Sequence, residues 1–373
     1  MSTEPINIFK ESLLPNSSYK GGKGKAEVAD LFDGKKLYKL SSNENILGSS
    51  PLALQAIEDN IGKLSEYCDR TDDRLRHALS NYYNNELSAN QFFSDNSGVS
   101  LLNLIERAFL EKGHEIIVCN PAFKPYAVFA KKLQAKVVDV PLVGDDLHLN
   151  DPDILNAIND QTRLIFITSP NNPTGTYIPK KQMDALVASL PDHVVLVYDE
   201  VYFQFVDAPD YVRAHEYVKQ GKNVIGVNSF SKAYGLAGLR LGYGYSTEKI
   251  ARYVAQASTP FMINTLALEA GIAALKDDAF IDKTVNLVNG EKDFLYSSLD
   301  QLNIKYWKSQ ANFILIKPDM NDKAFELQML KEGIMVRTVA NFGAPGCIRV
   351  TIGDREANTA YISALTKVIN TNK

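Results

Sequence analysis

Between residues 92 and 246 the helical patterning is broken repeatedly by short, almost wholly apolar runs. They read EIIVCNP (115–121), KVVDVPL (136–142), LIFITSP (164–170), VVLVYDE (194–200), NVIGVNSFS (223–231) and LRLGYGY (239–245). A strand with one wet face alternates apolar and polar residues, so a run that is apolar throughout must be covered on both faces. The stretches VSLLNLIERAFLEKG (99–113) and KKQMDALVASL (180–190) carry helical spacing and can supply that cover. Together they predict an α/β fold, with a mostly parallel sheet between helices in a large domain. The C-terminal part reads differently. ANFILIK (311–317), EGIMVRTV (332–339) and GCIRVTIG (346–353) look like strands, with helices near 323–332 and 355–371, which suggests a smaller α+β domain. A long helical pattern around 264–300 links the two. At 373 residues the chain exceeds one ordinary core. The expected division is 1–45 packing on the small domain or a partner subunit, 46–265 as the large domain, and 266–373 as the small one.

Composition removes several function classes. A formal charge of −4 argues against a nucleic-acid or anionic-membrane surface. No apolar run approaches the ~18 residues that span a bilayer, and MSTEPINIFKESLLPN lacks the apolar stretch of a signal peptide. Cys68, Cys119 and Cys347 are scattered without CxxC spacing, as suits reduced thiols in the cytoplasm. His77, His114, His148, His193 and His215 form no metal-ligand pair, so no metal is expected. KGGKGK (20–25) lacks the spacing and hydroxyl of a phosphate loop, and no GxSxG elbow is present.

Polar residues gather where the apolar runs end. SPNNPTGT (169–176) exposes amide side chains in a turn, VYDEVYFQF (197–205) sets Asp199 directly after an apolar run, and SFSKAYGLAGLRLGYG (229–244) carries Lys232 and Arg240. Singly, these could be a turn, a helix cap, a snorkelling lysine and a surface ion pair. One ligand accounts for all of them: pyridoxal 5′-phosphate. Its aldehyde needs an amine, its ring nitrogen an anion, its phenolic oxygen hydrogen bonds, and its phosphate cations, hydroxyls and amides. Lys232, Asp199, Asn172 with Tyr202, and Arg240 with Ser229 and Ser231 meet those four demands.

NNPTG, YDEVY and SFSKAYGLAGLRLGY together resemble the fold-type-I pyridoxal-phosphate-dependent aminotransferases. YKGGKG (19–24), LSSNENILGSSP (40–51) and SEYCDR (65–70) make the chain similar to the histidinol-phosphate aminotransferase branch over nearly its whole length. The resemblance implies that Lys232 anchors the cofactor and shuttles a proton, and that Asp199 pairs with the ring nitrogen. It implies that Asn172 and Tyr202 bond the phenolic oxygen, and that Phe123 of NPAFKPY stacks on the ring. Phosphate would be held by Arg240, Ser229, Ser231 and the backbone amides at Ser97, Gly98 and Val99, where a helix begins. Tyr67 would reach it from the neighbouring subunit of a homodimer. Arg349 and Arg337 would take the substrate's anions in turn, with Tyr19 and Asn45 as further contacts.

The chain departs from the branch at Gly21, Ile46 and Cys68, each in place of a proline, and at Val99 and Ser100, in place of acids. These positions surround the substrate mouth and phosphate turn. The expected reaction is transfer of the amino group of L-histidinol phosphate to 2-oxoglutarate, in histidine biosynthesis. Aromatic amino acid transamination and a threonine-phosphate-type decarboxylation on the same fold stay open as alternatives.

Overall fold

The computed structural model describes residues 11–13, 21–32 and 34–371. All six apolar runs contain strands of one seven-stranded sheet. In spatial order these are Phe92–Asp95, Gly242–Tyr245, Val224–Ser229, Val195–Asp199, Thr162–Thr168, Glu115–Val118 and Lys136–Asp139. The last five pair in parallel, while Gly242–Tyr245 runs antiparallel to both of its neighbours. The two-sided cover expected from the sequence is present. Ile117, Ile165, Ile167, Leu196 and Tyr198 enter one buried cluster; Ile116, Leu164, Phe166, Val195 and Val197 enter another. Successive side chains of a strand point to opposite faces, so alternate residues feed opposite cores.

The short strand Phe92–Asp95 was not anticipated as an element of its own. It is buried along its length and pairs with Gly242–Tyr245 at the sheet edge. The helical pattern expected around 264–300 is two helices, Thr265–Ala274 and Asp278–Gln301. Asp277 makes the break. Its carboxylate accepts from Phe280 N at 3.4 Å, and also from Ser50 Oγ at 2.5 Å and Leu52 N at 3.3 Å at the start of the helix Pro51–Asn60.

A second, antiparallel sheet has the order Arg337–Thr338, Ile348–Thr351, Phe313–Lys317, Lys305–Trp307. The helices Asp278–Gln301 and Arg355–Thr371 contribute Val288, Leu295, Tyr361 and Leu365 to its core. The run 332–339, read as one strand, is two. Ile334–Met335 pairs in parallel with Tyr38–Lys39, and Arg337–Thr338 then joins the four-stranded sheet. Upstream, Val28 packs on Leu330 and Met335.

Candidate active site

Thr168, Asp199 and Ser229 are the last residues of three adjacent parallel strands. Ligands of open α/β sheets bind beyond such carboxyl ends. Here the strand ends form the floor of a cavity of about 360 Å³, which the segment 41–44, Arg337 and Arg349 complete.

Lys232 follows the third of these strands by three residues and donates from Nζ to Ser42 O at 3.3 Å. Burial, then the positive charge of Arg349, pulls its amine down to about 8, against the opposing charge of Glu44. Asp199 is buried, and the loss of water pushes its carboxyl up to about 6. Two donors hold that rise in check: Tyr126 Oη at 2.7 Å and Val201 N at 3.3 Å. Tyr126 also meets Thr168 Oγ1 at 2.8 Å and stacks on Phe166, centroids 4.7 Å apart. Phe123 lines the same wall, edge-on to Tyr126.

The opposite end is an anion cradle. The helix Gly98–Phe109 begins against the strand Gly242–Tyr245, so close that a Cβ at Gly242 would lie 2.5 Å from Gly98 N. Only glycine permits that approach, which brings the unpaired amides of a helix N-terminus to the cavity. Ser229 Oγ accepts from Ser231 N at 3.1 Å and lies 3.0 Å from Ser231 Oγ. Arg240 closes the cradle from a left-handed backbone position, φ 58°, with Nη1 on Ala237 O at 2.8 Å. On the far side, buried Arg349 donates to Asn172 Oδ1 at 2.5 Å and to Ser41 O at 3.0 Å. Arg337 donates to Gly21 O at 3.0 Å.

The fold thus brings Lys232, Asp199, Tyr202, Asn172, Ser229, Ser231, Arg240, Phe123, Gly98, Val99, Arg337 and Arg349 to one cavity. Ser97 is not among the lining residues. It is the N-cap of the helix, its Oγ accepting from Ser100 N at 3.2 Å. Asn45 does not line the cavity either. Its amide is taken by Ala233 O at 2.9 Å and Thr284 Oγ1 at 3.1 Å, a tie between segments. Tyr67 stands outside, 90% exposed, with its ring 5.3 Å from that of Phe261. Tyr19 lies outside the described residues. His215, read as isolated, has Glu216 at 3.1 Å and Glu86 at 3.9 Å, but Lys219 Nζ already sits on both carboxylates at 3.1 and 2.6 Å.

Sequence reasoning missed Tyr126, Asn43 and Glu44. Tyr126 stands three residues after Phe123 in NPAFKPY, and that proximity was the available signal. Asn43 and Glu44 sit beside Asn45 in the same short motif, and nothing local says which of the three faces inward.

The donor set fits pyridoxal 5′-phosphate. It offers a buried amine of lowered basicity, a buried carboxylate hydrogen-bonded by a tyrosine, a flat aromatic wall, and a helix N-terminus flanked by two serines and a guanidinium.

Residues 35–365 match the family model for aminotransferase class I and II. The chain is 36% identical over 360 residues to histidinol-phosphate aminotransferase of Anoxybacillus flavithermus, covering 96% of each. It is 37% identical to histidinol-phosphate aminotransferase 2 of Pseudomonas fluorescens, covering 99% of each. Its fold superposes on histidinol-phosphate aminotransferase of Sinorhizobium meliloti, solved in complex with pyridoxal 5′-phosphate. The TM-score there is 0.89 at 23% identity, over 100% of each chain. Aspartate aminotransferase of Thermotoga maritima follows the same fold, with TM-score 0.84 at 21% identity over 92% of this chain and 94% of that one.

Proposed function

The chain belongs to the class I and II aminotransferases, and from that premise we propose that it moves the amino group of L-histidinol phosphate to 2-oxoglutarate, using pyridoxal 5′-phosphate. The products are imidazole-acetol phosphate and glutamate. The observation that carries the reading is one cavity, floored by the ends of parallel strands, that holds an amine, a carboxylate and three guanidinium groups.

When bound, the cofactor supplies an aldehyde for the donor's amino group and a ring that accepts the electrons released at carbon. Lys232 is the covalent anchor, because an amine held near 8 has an appreciable unprotonated fraction at mildly basic pH. Its amine would also take and return the proton at the substrate's amino-bearing carbon. Asp199 provides the anion for a protonated ring nitrogen, and Tyr126 helps keep that carboxyl ionised. Asn172 and Tyr202 address the phenolic oxygen. Phe123 would cover one ring face, and the helix amides at Gly98 and Val99 would hold the phosphate with Ser229, Ser231 and Arg240. Arg349 and Arg337 take the donor's phosphate and then the carboxylates of the acceptor, since a planar guanidinium fork suits both groups.

The domain division at residues 45 and 265 and a homodimeric state belong to the same proposal. Leu52, Leu54, Ile61, Leu64, Tyr67 and Phe261 are all exposed, an apolar surface that a second copy would cover while bringing Tyr67 to its neighbour's phosphate site. Among the described residues no helix is long and apolar enough to cross a membrane. Three free thiols suit work in the reducing cytoplasm.

The test is a donor panel with 2-oxoglutarate, reading glutamate formation. L-histidinol phosphate should exceed L-phenylalanine by at least about tenfold in kcat/KM, the discrimination expected from a paired phosphate contact. A preference for phenylalanine would remove the proposed donor. Carbon dioxide release without oxo-acid consumption would replace transamination by decarboxylation.

A further inference from the structure

The hydroxyl of Tyr202 is held by two side-chain amides. Asn43 Nδ2 donates to it at 3.0 Å and Asn172 Nδ2 at 3.4 Å. Each amide has a partner at its oxygen. Asn172 Oδ1 is gripped by Arg349, which can only donate. Asn43 is fixed by a different route. Its main-chain amide donates to Thr351 Oγ1 at 2.9 Å, and that hydroxyl donates to Asn43 Oδ1 at 3.3 Å. Both amide oxygens are therefore committed, and both NH₂ groups face Tyr202. The rest of Asn43 is equally constrained. It is 1% exposed, its carbonyl accepts from Asn312 Nδ2 at 3.1 Å, and its backbone is left-handed, φ 54°, which asparagine tolerates better than most residues.

A phenolic oxygen has two acceptor positions and one proton. With two N–H groups already donating to its oxygen, Tyr202 meets an incoming acceptor as a hydrogen-bond donor. We propose that Asn43 is a positioning residue that makes Tyr202 an obligate hydrogen-bond donor to the cofactor's phenolic oxygen, and so sets the acidity of the bound cofactor. The inference rests on the pyridoxal-phosphate reading above. A donated hydrogen bond favours the anionic form of that oxygen, and bonds to a charged acceptor are the stronger kind. The arrangement also joins two parts of the chain. Asn43 hangs on Thr351 and Asn312 of the four-stranded sheet region, whereas Tyr202 follows the strand Val195–Asp199 of the large sheet.

Two substitutions separate orientation from packing. Asn43→Asp keeps the shape but exchanges the NH₂ donor for a carboxylate oxygen that competes for the tyrosine's proton. Asn43→Gly keeps a left-handed backbone at no steric cost and deletes the amide. The protein and its N43D, N43G, Y202F and N43D/Y202F variants are loaded with pyridoxal 5′-phosphate. The visible absorption of each is then titrated from about pH 5 to pH 10, with cofactor affinity measured in parallel. N43D should raise the spectral midpoint by about one pH unit, the scale of one charge-assisted hydrogen bond, and N43G by less. Y202F should raise it too, and N43D should add little to Y202F, because the amide acts through that hydroxyl. A wild-type midpoint in both Asn43 variants, or a fully additive shift in the double variant, overturns the inference. Should N43D fail to fold, N43G alone and in the Y202F background decides the same question. A protein that takes up no cofactor overturns this inference and the functional reading together; normal loading with unmoved Asn43 variants overturns the inference alone.

Discussion

Asp199 is costly where it stands. A buried carboxyl held at about 6, above its ordinary value of 3.8, means that folding favours the protonated acid. That favourable contribution is present below about pH 4 and lost as pH rises through about 6. In the cofactor-free protein, Asp199→Asn should therefore be more stable than wild type at pH 8 by about 3 kcal/mol, and equal to it near pH 4. Denaturant unfolding at the two pH values checks this, and equal stability at both would contradict it. The same substitution should lower transamination at least about hundredfold, since an amide offers a ring nitrogen no charge. A buried carboxyl that weakens the empty protein is what a functional site predicts. Lys232 runs in the opposite sense. Its amine, drawn down to about 8 from 10.5, costs stability at neutral pH, and that cost is recovered as pH rises from about 8 to 10.5. The sequence marked both residues because each ends or follows an apolar run. It could not mark Tyr126 as the donor to Asp199, because that contact spans 73 positions.

Elements position the site through backbone proximity as much as through side chains. Gly242 of the strand Gly242–Tyr245 lets the helix Gly98–Phe109 start directly on the sheet. In Gly242→Ala the new methyl would meet main-chain atoms of Ser97 and Gly98, which cannot rotate away. The variant should lose about 1–3 kcal/mol of stability and bind pyridoxal 5′-phosphate at least about tenfold more weakly, because the amide cradle moves. Melting temperature and cofactor titration would show it, and a variant with wild-type affinity would remove the cradle argument. Element type was legible wherever runs were long and buried, as in all six apolar stretches. Boundaries set by tertiary partners were not. The break at Leu275–Asp277 exists because Asp277 serves the start of another helix, and the strand at 334–338 divides because its halves pair with different sheets. Periodicity reports which face is buried, and it is silent on which backbone supplies the hydrogen bonds.

At the scale of the whole molecule, the exposed apolar side chains of Leu52, Leu54, Ile61, Leu64, Tyr67 and Phe261 are what a dimer would explain. If Tyr67 serves its neighbour's site, Lys232→Ala and Tyr67→Ala subunits should each be impaired alone, yet complement when mixed. Their heterodimer places both substitutions in one site and leaves the other intact. Tagged heterodimers purified after mixing should regain about half the wild-type activity per dimer, since one of two sites is whole. No recovery would show that Tyr67 acts within its own chain. The sequence by itself determined the layered α/β architecture and the cofactor class, and it singled out candidates for amine, anion and phosphate, because each follows from local pattern: uniform apolar runs and polar residues at strand ends. Only the tertiary structure decided which of Asn43, Glu44 and Asn45 faces the cavity, what restrains Asp199, and where Arg349 reaches. Those are contacts between segments far apart in the chain, fixed by packing and by competition for hydrogen-bond partners, and a one-dimensional pattern does not record them.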